Sequence, residues 1–231
     1  MRGLSLLLWT LLCMSSPLLA QQPKRPDNAA QFLHEQKDLW LSPLKIRRGD
    51  VKWLAPLGAG AALLLATDWS VSDAARRSQD LRPASRVVSR VGGSIPMMAV
   101  SGSMWALGKV THNDKAAGTG RLAVEAVLHT EILVGGLKVL TNRERPNKPL
   151  GHGEFWDGGH SFPSGHAATT FAFATVVSHE YRNKPLVAIG AYGLATAVSL
   201  SRVGGLNHFP SDVLIGATIG HLIGRYVIHH H

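Results

Sequence analysis

Three short groups of residues with side chains suited to phosphate chemistry follow one another in the second half of the chain. In order they are Lys138 with Arg145-Pro146, the run Pro163-Ser164-Gly165-His166, and Ser201-Arg202 with His208 and Asp212. Phosphoryl transfer spreads negative charge over three oxygens, so a protein that catalyses it needs fixed positive donors. The three groups supply such donors together with two histidines, and they predict a phosphoryl-transfer site.

The positive donors are Lys138, Arg145 and Arg202. Each arginine can grip two oxygens with its forked guanidinium, whereas the lysine contributes a compact charge. Pro146 restricts the backbone of Arg145 to extended conformations. We predict that all three side chains bind the phosphate.

A helix start is predicted at the second group. Ser164 stands where a helix cap belongs, and Gly165 and His166 open a stretch rich in Ala, Thr and Phe. The first free amides of such a helix attract an anion. Gly165 lets a phosphate oxygen approach the backbone closely, so Ser164 and Gly165 are predicted to bind phosphate as well.

The third group supplies a candidate nucleophile. His208 and Asp212 are four residues apart, and Pro210 between them is well placed to open a helix. A carboxylate that accepts from one ring nitrogen leaves the other nitrogen free to attack phosphorus. Our hypothesis is that His208 forms a phosphohistidine, that Asp212 orients it, and that His166 acts as general acid and then general base.

Eleven specified positions in this order and spacing make coincidence very improbable. The pattern resembles the three-part signature of the type 2 phosphatidic acid phosphatase superfamily, which also contains bacterial class A acid phosphatases and vanadium haloperoxidases. The resemblance covers about residues 121 to 228 and implies an all-α bundle with the motifs at one end, and similar roles for the two histidines. One departure is Leu206, where many members have glycine, and it predicts a local difference in the loop backbone.

The elements that must position these groups are helices. Six apolar stretches rich in Ala, Leu, Val and Gly occur near 51 to 67, 94 to 110, 121 to 140, 165 to 180, 186 to 201 and 212 to 228. No comparable alternation of apolar and polar residues indicates strands. We predict a single all-α bundle of about six core helices over residues 51–231, preceded by a polar arm over 21–50.

The start of the chain predicts export. Residues 1–20 combine Arg2, an apolar stretch from Leu4 to Leu12 and small residues up to Ala20, as in a secretory signal peptide. Cleavage after Ala20 is expected, and an uncleaved anchor is the alternative. We therefore expect an exported protein that is periplasmic or faces the periplasm from the inner membrane.

Charge and hydrophobicity restrict the partners. The formal net charge is +9, which favours anionic partners, but the basic residues form no dense run interleaved with aromatics, so nucleic acid is not expected. A phosphorylated small molecule or lipid is the expected substrate. Ionisable residues such as Glu131 and Arg225 within the apolar stretches slightly favour a soluble or peripheral protein over an integral bundle, although membrane association is expected to be possible.

No cofactor is expected. His166, His208 and Asp212 resemble a zinc set, but the neighbouring cations would repel a dication, and vanadate would bind only as a phosphate mimic. Two alternative functions remain open: a vanadium-dependent haloperoxidase, and a non-catalytic phosphate-binding or membrane-binding protein. The glycine-rich stretch from Gly151 to His160 is expected either to present aromatic side chains to a lipid or leaving group, or to form a structural loop with Trp156 in the core.

Overall fold

The computed structural model describes residues 28–78, 81–148 and 151–231. The chain divides into two compact units, residues 1–38 and 39–231. The first unit contributes residues 28–38, the beginning of a helix, to the described part. The predicted signal peptide lies outside the described residues.

Eight α-helices and no strand occur in the described ranges, so the all-α prediction is confirmed. In chain order they are α1 (Asn28–Leu41), α2 (Val51–Arg77), α3 (Leu81–Val91), α4 (Ser94–Val110), α5 (Asp114–Thr141), α6 (Gly165–Glu180), α7 (Pro185–Gly204) and α8 (Pro210–His230). Two 3-10 turns, Ser42–Lys45 and Arg48–Asp50, join α1 to α2. Six of these helices correspond to the six predicted stretches.

The helix prediction missed α1 and α3. The described part of the segment predicted as a polar arm contains α1 and the two turns, and Leu39 near the end of α1 belongs to the buried core. The segment containing α3 is short and carries arginines at Arg82, Arg86 and Arg90, which hid its helical character. Apolar stretch length alone therefore undercounted the helices.

Helix α6 is the central element of the larger unit, and it packs most extensively against α8. Three glycines of α8 face α6 at intervals of four residues: Gly216, Gly220 and Gly224. A Cβ atom at Gly220 would lie 1.9 Å from the carbonyl oxygen of Ala168, so only glycine permits this approach. The contact brings the start of α6 beside the start of α8, where the second and third sequence groups lie.

The helix ends carry the predicted site residues to one end of the bundle. Helix α5 ends at Thr141 with Lys138 in its last turn, and Asn142 follows in the left-handed conformation with φ of 43°. The backbone N–H of Ser164 donates to the carbonyl oxygen of Asp212 at 2.9 Å, which joins the second and third groups directly.

Among the described residues, two helical segments are long and apolar enough to cross a membrane, Arg48–Arg77 and Pro185–Gly204. Only 6% of the apolar window in the first segment and 28% in the second is buried. Leu63 on α2 and Leu186 and Ile189 on α7 are among the side chains that are mostly exposed. These helices therefore turn apolar surface outward rather than into the core.

Candidate active site

The ring of His208 is buried in the loop between α7 and α8, with 2% of its surface exposed. Its Nδ1 lies 2.6 Å from the carbonyl oxygen of Ser161. Because a carbonyl oxygen only accepts hydrogen bonds, Nδ1 must carry the proton, and in the neutral ring Nε2 then has a free lone pair. This contact selects the tautomer that a nucleophilic histidine needs.

Asp212 stands behind this contact. Its Oδ2 lies 3.6 Å from Nδ1 of His208, so the carboxylate is an ion-pair neighbour of the ring, and the Ser161 carbonyl accepts the hydrogen bond that was predicted for Asp212. The same oxygen accepts from Ser161 Oγ at 2.6 Å and from the backbone N–H of Phe209 at 2.8 Å. Burial alone raises the pKa of Asp212, but the contact with His208 and the charge of Arg143 lower it below its ordinary value. Asp212 is therefore an anion beside the ring.

A buried ion network holds Asp212 in turn. Arg143 donates to Asp212, to Ser211 Oγ at 2.8 Å and to Asp68 Oδ2 on α2 at 2.8 Å. Asp68 also accepts from the backbone N–H of Ser211 at 3.0 Å. At most 3% of the surface of each of the three charged side chains is exposed. Removing one member of such a network leaves an uncompensated buried charge.

The glycine-rich loop Gly151–His160 supports this network. Arg143 Nε donates to the carbonyl oxygen of Gly153 at 2.9 Å, and its guanidinium lies 4.7 Å from the ring centre of Phe155 and 4.5 Å from that of Phe209. The prediction that Trp156 lies in the core is wrong, because 77% of this residue is exposed and its indole N–H donates to the carbonyl oxygen of Leu140. The part of the loop that contacts Arg143 is structural.

The positive side chains converge from separate elements. A Cβ atom at Gly165 would lie 3.3 Å from Nζ of Lys138, which places the lysine against the start of α6. Arg202, at the end of α7, donates through Nη1 to Ser89 of α3. Arg145 lies half-buried beyond α5, and its charge acts on His166 together with those of Arg202 and Lys138. The three predicted donors therefore surround one region.

Burial and the nearby positive charges lower the pKa values of both histidines. Burial lowers the pKa of His208 to about 4, and the charges of Arg202 and Lys138 act in the same direction, against Asp212. Burial and the nearby cations likewise lower the pKa of His166 to about 3. With these lowered pKa values, both rings are neutral at pH 7. A negative charge placed beside these cations would offset them and raise the pKa of His166.

Ser164 occupies the N-cap position of α6, as predicted, but its hydroxyl makes no capping hydrogen bond. Its Oγ is fully buried and has no hydrogen-bond partner among the described residues. The site opens into a cavity of about 720 Å³ whose wall includes His166 and Arg202. The start of α6 thus brings His166 to a cavity wall that also carries the cation Arg202, an arrangement suited to an anion.

Comparison with protein families gives a match over this part of the chain. Residues 120–231 match the model of the PAP2 superfamily. These residues belong to the PAP2 superfamily. The matched PAP2 region runs from α5 to the end of α8 and contains all eight predicted site residues.

Several known proteins are similar to this one. Over 66 residues it is 42% identical to a lipid A 1-phosphatase of Porphyromonas gingivalis, and the match covers 28% of this chain and 15% of that protein. The crystal structure of a transmembrane PAP2-type phosphatidylglycerolphosphate phosphatase from Bacillus subtilis superposes with a TM-score of 0.56 and 25% identity over 76% of this chain and 94% of that one. LpxE of Aquifex aeolicus shares the fold, with a TM-score of 0.54 and 23% identity over 71% of this chain and 94% of that chain.

The structure brings the predicted site residues of the PAP2 region together at the ends of α5, α6, α7 and α8. Sequence reasoning missed four supporting residues: Asp68, Arg143, Ser161 and Ser211. Two of them left a signal, since Asp68 directly follows the apolar stretch 51 to 67 and Arg143 lies two residues before Arg145.

Leu206 lies in the loop before His208 with φ of 55°. This is the left-handed region that favours glycine, so the loop keeps a conformation natural to glycine although the side chain differs. The local difference in the loop backbone stays a prediction, although at Leu206 itself the φ angle is one that glycine adopts readily.

Proposed function

We propose that this chain is a metal-independent phosphatase that hydrolyses phosphate monoesters through a phosphohistidine at His208. The observation that carries the proposal is the hydrogen bond from His208 Nδ1 to the Ser161 carbonyl oxygen at 2.6 Å. It leaves Nε2 unprotonated, and the charges of Arg202 and Lys138 act on the ring. A nucleophile with a fixed tautomer beside fixed cations is what phosphoryl transfer requires.

In the first step, the lone pair of His208 Nε2 attacks phosphorus while the bond from phosphorus to the ester oxygen breaks. His166, protonated once the phosphate dianion is bound, gives its proton to the departing alkoxide, so an alcohol is released. Lys138, Arg145 and Arg202 stabilise the charge on the equatorial oxygens. Asp212 stabilises the positive ring of His208.

In the second step, water attacks phosphorus and the bond from phosphorus to Nε2 breaks. His166 accepts a proton from the water, and inorganic phosphate leaves. The proton on His208 Nδ1 stays hydrogen-bonded to the Ser161 carbonyl throughout both steps. The ring therefore ends the cycle in the tautomer in which it began. The cycle consumes one water and needs no other reactant.

The decisive experiment uses two substitutions of His208. In His208→Asn, the side-chain amide nitrogen lies near the position of Nδ1 and can still donate to Ser161, but no nucleophile remains. We expect folding close to that of the wild type and a loss of phosphate release of at least about a thousandfold, in line with removal of a covalent nucleophile. His208→Ala should lose activity equally and be less stable.

Trapping identifies the covalent residue. In a reaction of His166→Ala with a ³²P-labelled ester that is quenched rapidly in alkaline detergent, label should accumulate on His208, because the second step lacks its base. The label should be stable in alkali and released by acid, as for a phosphorus–nitrogen bond. Near-normal turnover by His208→Asn, or label on another residue, would contradict the mechanism.

We further propose that the substrate is a membrane lipid phosphate and that α2 and α7 contact the bilayer. Both helices expose apolar surface, and the relatives named above include a lipid A 1-phosphatase and a transmembrane phosphatidylglycerolphosphate phosphatase. This proposal replaces the slight preference for a soluble protein drawn from charges within the apolar stretches. Export and a periplasm-facing site stay predictions that depend on residues 1–20.

Extraction of the protein from membranes tests the proposal that α2 and α7 contact the bilayer. Washing membranes with alkaline carbonate should leave the protein in the pellet, and detergent should release it. Release by carbonate alone would mean peripheral attachment. Phosphate release should exceed any vanadate-dependent halide oxidation by the same preparation, and the reverse order would favour the haloperoxidase alternative.

A further inference from the structure

Four arginines outside the PAP2 region share the cavity beside the proposed active site. They are Arg76 at the end of α2 and Arg82, Arg86 and Arg90 on α3. The same cavity is lined by His166 and Arg202. None of the described residues that line it is acidic. Beyond the donors that serve the scissile phosphate, the cavity therefore has a second set of positive charges.

Three of the four arginines lie on α3, and we call these three the arginine stripe. Arg82, Arg86 and Arg90 are spaced four residues apart, so they lie on one face, and like charges at this spacing repel. Arg86 and Arg90 are exposed, and no described carboxylate forms an ion pair with either of them. Within the described residues only Arg76 of this set has a carboxylate partner, Asp73 at 3.7 Å, whereas an anion in the cavity would compensate Arg86 and Arg90.

Hydrogen bonds connect the arginine stripe to the predicted phosphate-binding residues. Arg202 donates to Ser89, which lies between Arg86 and Arg90 on α3. At the other end, Arg76 Nη2 donates to the carbonyl oxygen of Pro146 at 2.7 Å, directly after Arg145. Arg82 Nη2 donates to the carbonyl oxygen of Arg76 at 3.0 Å. These contacts hold the arginine stripe at a fixed position relative to the scissile phosphate.

We propose that the arginine stripe binds a second phosphate group of the substrate, so that the preferred substrate is a lipid with two phosphate groups rather than one. The inference rests on the proposed phosphatase activity. In the proposed mechanism Lys138, Arg145 and Arg202 serve the oxygens of one phosphate, and a cavity of about 720 Å³ has room for more than that group. Guanidinium groups suit phosphate oxygens because their donors are paired and planar.

The test compares three substrates with purified full-length protein in detergent micelles. Phosphatidic acid carries one phosphate, farnesyl diphosphate carries two adjacent phosphates, and phosphatidylglycerolphosphate carries two that are separated by glycerol. The measurement is kcat/KM for phosphate release. We expect the wild type to favour one of the two-phosphate substrates over phosphatidic acid by at least about tenfold. The substrate that is favoured shows whether the second phosphate is adjacent or remote.

The variants are Arg86→Gln/Arg90→Gln and the control Arg182→Gln. Arg182 is an exposed arginine just beyond the far end of α6, about 24 Å along that helix from Gly165. The double variant should lose at least about tenfold in kcat/KM on the favoured substrate, through KM, and less than about threefold on phosphatidic acid. The control should change neither.

Equal loss on all three substrates, or no loss on any, would overturn the proposed second phosphate site. Equal wild-type rates on one-phosphate and two-phosphate substrates would overturn it as well. Failure of the proposed function is a separate result, because the wild type would then release no phosphate from any of the three substrates.

Discussion

Replacing Arg143 with methionine tests whether the buried ion network supports the active site. Methionine keeps much of the length and packing but removes the charge and all its donors. Asp68 and Asp212, both at most 2% exposed, would then lack their shared cation. Breaking a buried pair in this way typically costs about 3–5 kcal/mol. That is a large part of the roughly 5–15 kcal/mol that stabilises an ordinary domain.

Two readouts follow from this change. For a chain of this size, a loss of about 4 kcal/mol lowers Tm by roughly 8–16 °C, measured by thermal unfolding in detergent. Loss of the cation also raises the pKa of Asp212, because Arg143 helps to lower it. The acid limb of the kcat/KM profile should therefore move to higher pH. A displaced His208 should lower kcat by about a hundredfold.

Arg77→Met is the matched control. Arg77 also pairs with an aspartate, Asp73, but 80% of its side chain is exposed. Such a pair contributes about 0–1 kcal/mol, so the control should leave Tm and kcat nearly unchanged. A double-mutant cycle of Arg143→Met with Asp68→Asn should show a coupling of about 1–3 kcal/mol. If Arg143→Met melted and turned over like the wild type, the network would have no supporting role.

Three further predictions concern His208, the helix contact and metals. Because the pKa of His208 is about 4 in the folded protein against an ordinary 6.5, the unfolded chain binds more protons below pH 6.5, and this residue alone should lower the stability by about 3 kcal/mol as the pH drops from 6.5 to 4. His208→Asn should remove this part of the pH dependence in denaturant titrations and leave the part that comes from His166, whose pKa is also lowered. Gly220→Ala places a methyl group against Ala168 and should destabilise by about 1–3 kcal/mol in the same assay, whereas Gly190→Ala on the open face of α7 should be neutral or slightly stabilising. Excess EDTA should leave phosphate release unchanged, and its loss with recovery on adding a divalent metal would refute the metal-independent mechanism.

The sequence predicted the parts of the site that depend on residue type and spacing. Lys138, His166, Arg202 and His208 are recognisable because phosphate chemistry restricts which side chains can serve, and helix ends separate them at fixed intervals. Apolar stretch length identified six helices for a similar reason, since a buried or lipid-facing helix must be apolar over many residues. The all-α fold followed from the apolar stretches, and the resemblance to a known superfamily implied that the three groups meet at one end of the bundle.

The supporting contacts were less accessible. The Ser161 carbonyl is a backbone group that every residue possesses, so no residue type marks it. Arg143 and Asp68 are 75 residues apart, and their pairing depends on how α2 packs against the later helices. Helix α3 is amphipathic and only 11 residues long, so its arginines hid it from a search for apolar stretches.

The salt link from Asp68 to Arg143 means that the signature residues do not form a self-sufficient module. A truncated chain of residues 120–231 would contain every residue of the three groups. It would lack Asp68, one of the two carboxylates that neutralise Arg143, and Ser89, which accepts the hydrogen bond from Arg202. Catalytic competence should therefore emerge only after the early helices have docked, so an activity measurement on this protein also reports completed assembly. Grafting the motif-bearing half alone onto another scaffold should yield an inert product.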